Sequence, residues 1–194
     1  MWKPFIIGIH LLLIFFLDRD VINAVPHRLK KQIIFFGKWT RSDNTVGLQW
    51  FFEEVGAYMD KSIKIIIIGT GLPVEMVKRL KEYKNVEYRG FVENPYQMIA
   101  DSLLVVSPLF SGAGVKVKVV ESLACGTPVL GTSIAFEGID KKFKKFMLEA
   151  EVPEDYICCI NSLNISLDDR KQFKESFLKN YNEHSIVNFV TEKI

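Results

Sequence analysis

Two lysines and a glutamate, Lys116, Lys118 and Glu121, follow a turn of small residues, Ser111-Gly112-Ala113-Gly114, inside the run Ser107 to Thr132. An apolar strand over Leu103 to Ser107 leads into the turn, and the turn opens onto a helix. Such a helix presents unpaired backbone N–H groups and the positive end of its dipole, which suits a phosphate or diphosphate. Lys118 and Glu121 stand three residues apart and share a helix face, so one can meet an anion while the other accepts from hydroxyls. Lys116 lies about 200° from Lys118 on an ideal helix, so only one of the two is expected to face the site. The plain alternative for all three is a solvated helix surface. Gly126 fits a helix C-terminal cap, and Pro128 stops the helix from continuing.

The elements that must position these residues alternate along the chain. Gln32 to Phe36 is a β-rich run ending at Gly37 and Lys38. Asp43 or Asn44 can cap the helix that follows, whose apolar residues Leu48, Phe51, Phe52, Val55 and Met59 keep helical spacing. Ile63 to Ile68 is a strand without polar alternation, as expected where helices cover both faces of a parallel sheet. Gly69-Thr70-Gly71 ends it, and a helix with Pro73 near its first turn follows, with Met76, Val77, Leu80 and Tyr83 inward. Val86 to Phe91 is a third strand, Asn94 to Ala100 a short helix, Leu103 to Ser107 the fourth strand and Val129 to Gly131 the fifth. Two helices close the chain, over Pro153 to Leu163 and Leu167 to Tyr181. This alternation predicts an α/β fold, a Rossmann-like, doubly wound parallel sheet, with ligands at the carboxyl ends of the strands. The glycine-bearing loops at those ends are Gly37-Lys38, Gly69 to Gly71, Gly90-Phe91-Val92 and Ser111 to Gly114.

Glu121 to Val129, Glu-Ser-Leu-Ala-Cys-Gly-Thr-Pro-Val, closely resembles the signature of retaining glycosyltransferases of the two-domain GT-B fold, group 1 or family 4-like, in their donor-binding half. The signature places a first glutamate eight positions earlier, with seven residues between the two, and that position falls on Ala113, as in a branch carrying Gly/Ala-Gly and basic residues like Gly112 to Lys118 here. The Asn44-Thr45-Val46-Gly47 run resembles the same branch. The resemblance covers Lys31 to about Leu163, including Glu137-Gly138-Ile139, and more loosely the last two helices. It implies that Glu121 accepts from the ribose hydroxyls of a nucleotide donor and that Lys118 stabilises the leaving diphosphate, as the catalytic cation. Gly37 and Lys38 would approach the diphosphate, while the usual second basic residue of that loop is replaced by Asp43 and Asn44. Phe91 and Val92 would meet the nucleobase, with core packing an equal alternative for Phe91. Gly69, Gly71, Gly112, Ala113 and Gly114 complete the donor-binding set.

Hydrophobic residues make up 48% of the 194-residue chain and charged ones 25%, which indicates a folded core and excludes extensive disorder. A net charge of +2 gives no electrostatic case for nucleic acid. Cys125, Cys158 and Cys159 form no disulfide framework or metal-ligand spacing, and the adjacent pair reads as small apolar helix residues in a reducing, cytoplasmic compartment. His10, His27 and His184 lie outside the expected crevice, so neither a metal site nor a Ser-His-Asp device is expected. Residues 1–30 carry an apolar stretch, Phe5 to Leu17, shorter than a membrane span. It reads as the remnant of a larger domain, a packing helix, a signal core or an interfacial anchor. The resemblance implies that residues 31–194 are a nucleotide-sugar-binding Rossmann-like domain with C-terminal helices.

The resemblance implies hexose transfer from a UDP- or GDP-sugar to an acceptor, without a metal or other cofactor, at the inner face of a membrane. The family's acceptor-binding domain precedes this one, so an acceptor-domain chain and a peripheral membrane contact are expected partners. Two other readings stand beside it: a non-catalytic nucleotide-sugar-binding or interaction module, and an epimerase on the same fold, which would need a second domain and more acid/base side chains.

Overall fold

The structure, a computed structural model, describes residues 17–180. The readings placed on Phe5 to Phe16, and the last residue of the final helix, lie outside them. The elements run α1 (Arg19–Asn23), β1 (Lys30–Phe36), α2 (Ser42–Trp50, continued by a wider turn over Phe51–Val55), β2 (Lys64–Ile68), α3 (Val74–Leu80), β3 (Val86–Gly90) and α4 (Tyr96–Ala100). β4 (Ser102–Ser107), α5 (Val117–Ala124), β5 (Val129–Gly131), β6 (Met147–Glu149), α6 (Pro153–Ser162) and α7 (Leu167–Asn180) follow, with single-turn helices at Ser133–Phe136 and Lys141–Phe146.

All neighbouring strands pair in parallel, in the order β3-β2-β1-β4-β5-β6. The Rossmann-like doubly wound fold is therefore present. Its strand order reverses between β1 and β4, which leaves a crevice beyond their carboxyl ends. β1, β2, β4 and β5 lack polar alternation because both faces are covered, whereas the edge strand β3 alternates half-buried Val86 and Tyr88 with exposed Glu87 and Arg89. Ile34, Ile66, Ile68, Val105 and Val129 pack on α1, α4, α5 and α7. Ile33, Phe35, Ile65, Ile67, Leu104, Val106 and Leu130 pack on α2, α3 and α6. The apolar positions expected on α2 and its continuation, Leu48, Phe51, Phe52, Val55 and Met59, are all buried.

Three expectations are corrected. A sixth strand, β6, extends the sheet by pairing Met147 to Glu149 with Val129 to Gly131. Neither Asp43 nor Asn44 caps α2; the helix already starts at Ser42, and Arg41 stands at its N-cap without a side-chain bond. Cys158 is exposed on α6, although its neighbour Cys159 is partly buried. Burial pushes the Cys125 thiol up to about 12, so it packs as a small apolar group.

At the far end of β4 from the crevice, Arg170 of α7 is wholly buried and donates to the carbonyls of Ser102 and Leu103. Lys174, one turn later, donates to Ala124 O at the carboxyl end of α5, where a cation meets the negative end of the helix dipole. Gly126 ends α5 at φ +76°, with Gly126 N–H on Leu123 O and Thr127 N–H on Ser122 O. This reciprocal pair aims the chain into β5.

Candidate donor site

The loop after β1 is fixed from below by β2. Trp39 is buried and donates its indole N–H to Ile68 O at 3.1 Å, and its backbone N–H to Thr70 O at 2.9 Å. Gly69 adopts φ +119°, and a Cβ there would lie 1.8 Å from Gly37 O. A Cβ on Gly71 would lie 2.4 Å from the Thr40 methyl. Both glycines therefore let the two loops touch and support Gly37-Lys38 from behind instead of lining the cavity.

Asn44, in the first turn of α2, joins the two halves of the crevice. Its Nδ2 donates to Lys38 O at 2.9 Å, and its Oδ1 accepts from Lys118 Nζ at 2.6 Å. A lysine can only donate, so this pairing also fixes which way the amide points. Across the crevice, the loop after β4 curls through Gly112 at φ +106° and Gly114 at φ +78°, conformations that an L side chain resists. Lys116 Nζ fastens that loop by donating to the carbonyls of Gly112 and Gly114. Glu137, from the segment after β5, accepts from Gly114 N–H at 2.8 Å and pairs with Lys116 Nζ at 3.5 Å.

Between the loops lies a cavity of about 320 Å³ whose lining includes Gly37, Lys38, Arg41, Asn44, Gly112, Ala113, Lys116 and Lys118. The structure thus brings together five of the expected site residues, Gly37, Lys38, Gly112, Ala113 and Lys118, and holds Gly114 in the same loop. It also places Lys116 there beside Lys118. The helical angle between the two lysines does not apply, because Lys116 is the extended N-cap of α5, at φ −94° and ψ 105°, and not a helical residue. Arg41 supplies a second basic residue of the β1 loop, in place of the expected vacancy around Asp43 and Asn44. Its guanidinium pairs with Asp43 at 3.0 Å.

Burial lowers the Lys118 pKa to about 8, helped by the charges of Arg41 and Lys116 and opposed by Asp43. An ammonium held below its ordinary value gains most when an anion arrives. Burial pushes Asp43 up, but the Arg41 guanidinium and Lys118 more than offset this and leave it below the ordinary carboxylate value.

Glu121 is partly buried one turn beyond Lys118, outside the cavity lining, and accepts from the Tyr96 hydroxyl at 3.1 Å. Burial raises its pKa against that hydrogen bond. Tyr96 packs edge-on against Phe36 at the end of β1. Phe91 is 75% exposed, which excludes the core alternative for it, whereas Val92 packs against the core. Neither lines the cavity. Among the described residues, no three His, Cys, Asp or Glu side chains converge where they could hold a metal ion, and no helix is long and apolar enough to cross a membrane.

The profile of the family described as glycosyl transferases group 1 matches residues 30–164, from the start of β1 to just past α6. The chain belongs to that family. Among solved structures, this glycosyl transferase resembles TarM with a TM-score of 0.67 at 20% identity, over 88% of this chain and 36% of TarM. It resembles Anabaena HepE in complex with UDP with a TM-score of 0.63 at 16% identity, over 94% of this chain and 54% of that one. The pneumococcal O-GlcNAc transferase GtfA, in complex with UDP and GlcNAc, gives a TM-score of 0.63 at 13% identity, over 88% and 37% of the two chains. The chain therefore spans between about a third and a half of these proteins, and at such identities the likeness is one of fold. No curated protein is matched. Sequence alone does not place Arg41, Glu137 or Tyr96 in the site, and it sets Lys116 behind Lys118. Arg41 and Lys116 carried a signal in their charge and loop position, and Glu137 in the Glu-Gly pair after β5.

Proposed function

We propose that this chain is the donor-binding half of a retaining glycosyltransferase, holding a UDP- or GDP-hexose for transfer to an acceptor. The observation that carries the reading is the cavity at the β1/β4 switch point, where Lys38, Arg41, Lys116 and Lys118 converge on a glycine-lined floor. Such a floor admits a diphosphate, and the first turn of α5 adds unpaired N–H groups. The acceptor's hydroxyl oxygen bonds to the anomeric carbon and passes its proton to the departing diphosphate. The bond between that carbon and the diphosphate oxygen breaks with its electron pair staying on the diphosphate. Lys118, aided by Lys38, offsets the charge that builds there. The chain's other contribution is to hold the donor in one orientation while an acceptor approaches. The acceptor site is proposed to come from a second Rossmann-like domain, in the same polypeptide or in another chain, with the pair working at a membrane face. The solved structures of HepE and GtfA with UDP support a nucleotide donor.

Glu121 takes the ribose hydroxyls in this reading, with Tyr96 holding one of its oxygens. Glu121→Ala is expected to weaken UDP or GDP binding by about ten- to a hundredfold, the range for hydrogen bonds to a charged group. Binding of inorganic diphosphate should stay unchanged, since no ribose is involved. Calorimetric titration with both ligands checks this. Equal losses for nucleotide and inorganic diphosphate would place Glu121 among the structural supports and remove the ribose assignment.

A further inference from the structure

The loop of residues 111–115 forms one wall of the cavity, yet none of its side chains is a carboxylate, and Ala113 has no polar atom to offer. Asp43 lines the cavity but is paired with Arg41, and a second carboxylate bonds the loop at Gly114 from elsewhere in the chain. Glu137 leaves a single-turn helix after β5, ahead of Gly138 at φ +81°, and turns back onto the loop. Its Oε2 accepts from Gly114 N–H at 2.8 Å and faces Lys116 Nζ at 3.5 Å. Among the described residues nothing hydrogen-bonds its Oε1, and the side chain is 50% exposed while that of Lys116 is 11% exposed.

We propose that Glu137 is the residue that reads the hydroxyls of the transferred sugar, its free oxygen accepting from the sugar while its other oxygen is anchored on the loop. The inference rests on the donor-site reading above and adds a residue to it. A carboxylate repels phosphate, so Glu137 cannot belong to the diphosphate cradle, and it also takes the Gly114 N–H away from any anion. What it can take is a neutral group rich in O–H donors, for which a fixed carboxylate is a strong acceptor.

The placement matches the order of groups along a nucleotide sugar. Glu121 meets Tyr96 beside Phe36 at the end of β1, and Glu137 follows β5. β1 and β5 flank β4, whose loop and helix carry Lys116 and Lys118. In strand order the two carboxylates thus fall on the β1 side and the β5 side of the element that carries the lysines, the sequence a ribose diol, a diphosphate and a sugar polyol would require. A site built for hydroxyls also discriminates, because a ligand lacking them leaves the carboxylate unpaired.

The test compares the full chain with its Glu137→Gln and Glu137→Ala variants, titrated with UDP, GDP, UDP-glucose, UDP-N-acetylglucosamine and GDP-mannose. Thermal melting of each variant checks that it is folded. In the wild type the sugar should add affinity beyond that of the bare nucleotide. In Glu137→Ala that increment should fall by about tenfold, with bare-nucleotide affinity unchanged within about twofold or slightly tighter. Glu137→Gln keeps an acceptor for Gly114 N–H, so it should hold the loop and still lose most of the increment. Equal weakening of bare and sugar-bearing nucleotides in Glu137→Ala, fully restored by Gln, would make Glu137 a loop anchor and overturn the proposal. An unchanged increment in both variants would overturn it too. A folded wild type that binds none of the five ligands would instead remove the donor-site reading itself.

Discussion

Replacing Lys118 by Met is expected to weaken binding of a UDP- or GDP-sugar by about thirty- to a hundredfold, the loss of one charge-assisted hydrogen bond to the diphosphate. Stability should not fall with it. The Lys118 ammonium is held at a pKa of about 8 by burial beside Arg41 and Lys116, so the fold tolerates the charge at a cost, and an apolar side chain of similar length removes that cost. A melting temperature that is unchanged or higher, together with lost affinity, separates a ligand-binding lysine from a structural one.

The same residue sets a pH dependence. A bound diphosphate favours the ammonium and raises the Lys118 pKa above its value in the free protein. Binding therefore takes up a proton once the pH exceeds about 8. Affinity should be full below that value and fall as the pH rises through it, by up to about tenfold per pH unit for one linked proton. A nucleotide sugar is the ligand to use, since its diphosphate has no terminal phosphate to titrate in this range. Titrations between about pH 7 and 9.5 should show the decline in the wild type and a flat profile in Lys118→Met. A flat wild-type profile would mean that Lys118 does not meet the ligand.

The largest expected effect on stability belongs to Arg170→Ala. Arg170 is a fully buried guanidinium on α7 with no carboxylate partner among the described residues, and burial lowers its pKa to about 10. Nη1 donates to Ser102 O at 2.6 Å and Nη2 to Leu103 O, while Nε has no partner. Truncation opens a large cavity and orphans two strand carbonyls, although it also relieves a desolvated charge. The net loss is expected to be about 3 kcal/mol, lowering the melting temperature by roughly 10 °C. Arg170→Met, which keeps the volume, should lose much less. Ser102 and Leu103 open β4, at the opposite end of the strand from the cavity, roughly 20 Å away. Nucleotide affinity measured well below the melting temperature should therefore stay the same in both variants. Urea denaturation gives the stabilities, and equal losses for Ala and Met would show that the carbonyl contacts dominate over the volume.

Much of this architecture was legible because two signals agreed. Ile63 to Ile68 and Leu103 to Ser107 are apolar without alternation, which is what a sheet covered on both faces demands, and each ends at turn residues. β6 escaped notice because it is three residues long, follows the basic run Lys141 to Lys145, and owes its existence to pairing with β5. Its stability is tertiary, so no local pattern announces it. Lys118 and the Gly37-Lys38 loop were readable from type and spacing. Lys116 was misjudged because helical angles were applied to a residue just outside the helix, and an N-cap boundary shifted by one residue changes which face a side chain serves.

Gly69 and Gly71 taught the opposite lesson. Glycines in a strand-to-helix turn looked like ligand contacts, but their missing Cβ atoms make room for Gly37 and Thr40. Arg41 and Glu137 were hidden for another reason: Arg41 lines the cavity, and Glu137 bonds Gly114, through loop conformations that only the packed fold defines.

This chain, a glycosyl transferase group 1 domain, is proposed to bind a nucleoside diphosphate in the crevice between β1 and β4. Calorimetric titration of the purified chain with UDP and with GDP tests it most directly. Saturable binding of at least one of them, with one site per chain and weakened about thirty- to a hundredfold in Lys118→Met, is the predicted result. A chain shown to be folded by its thermal transition that binds neither nucleotide would contradict the account, leaving the fold of a donor domain without its ligand.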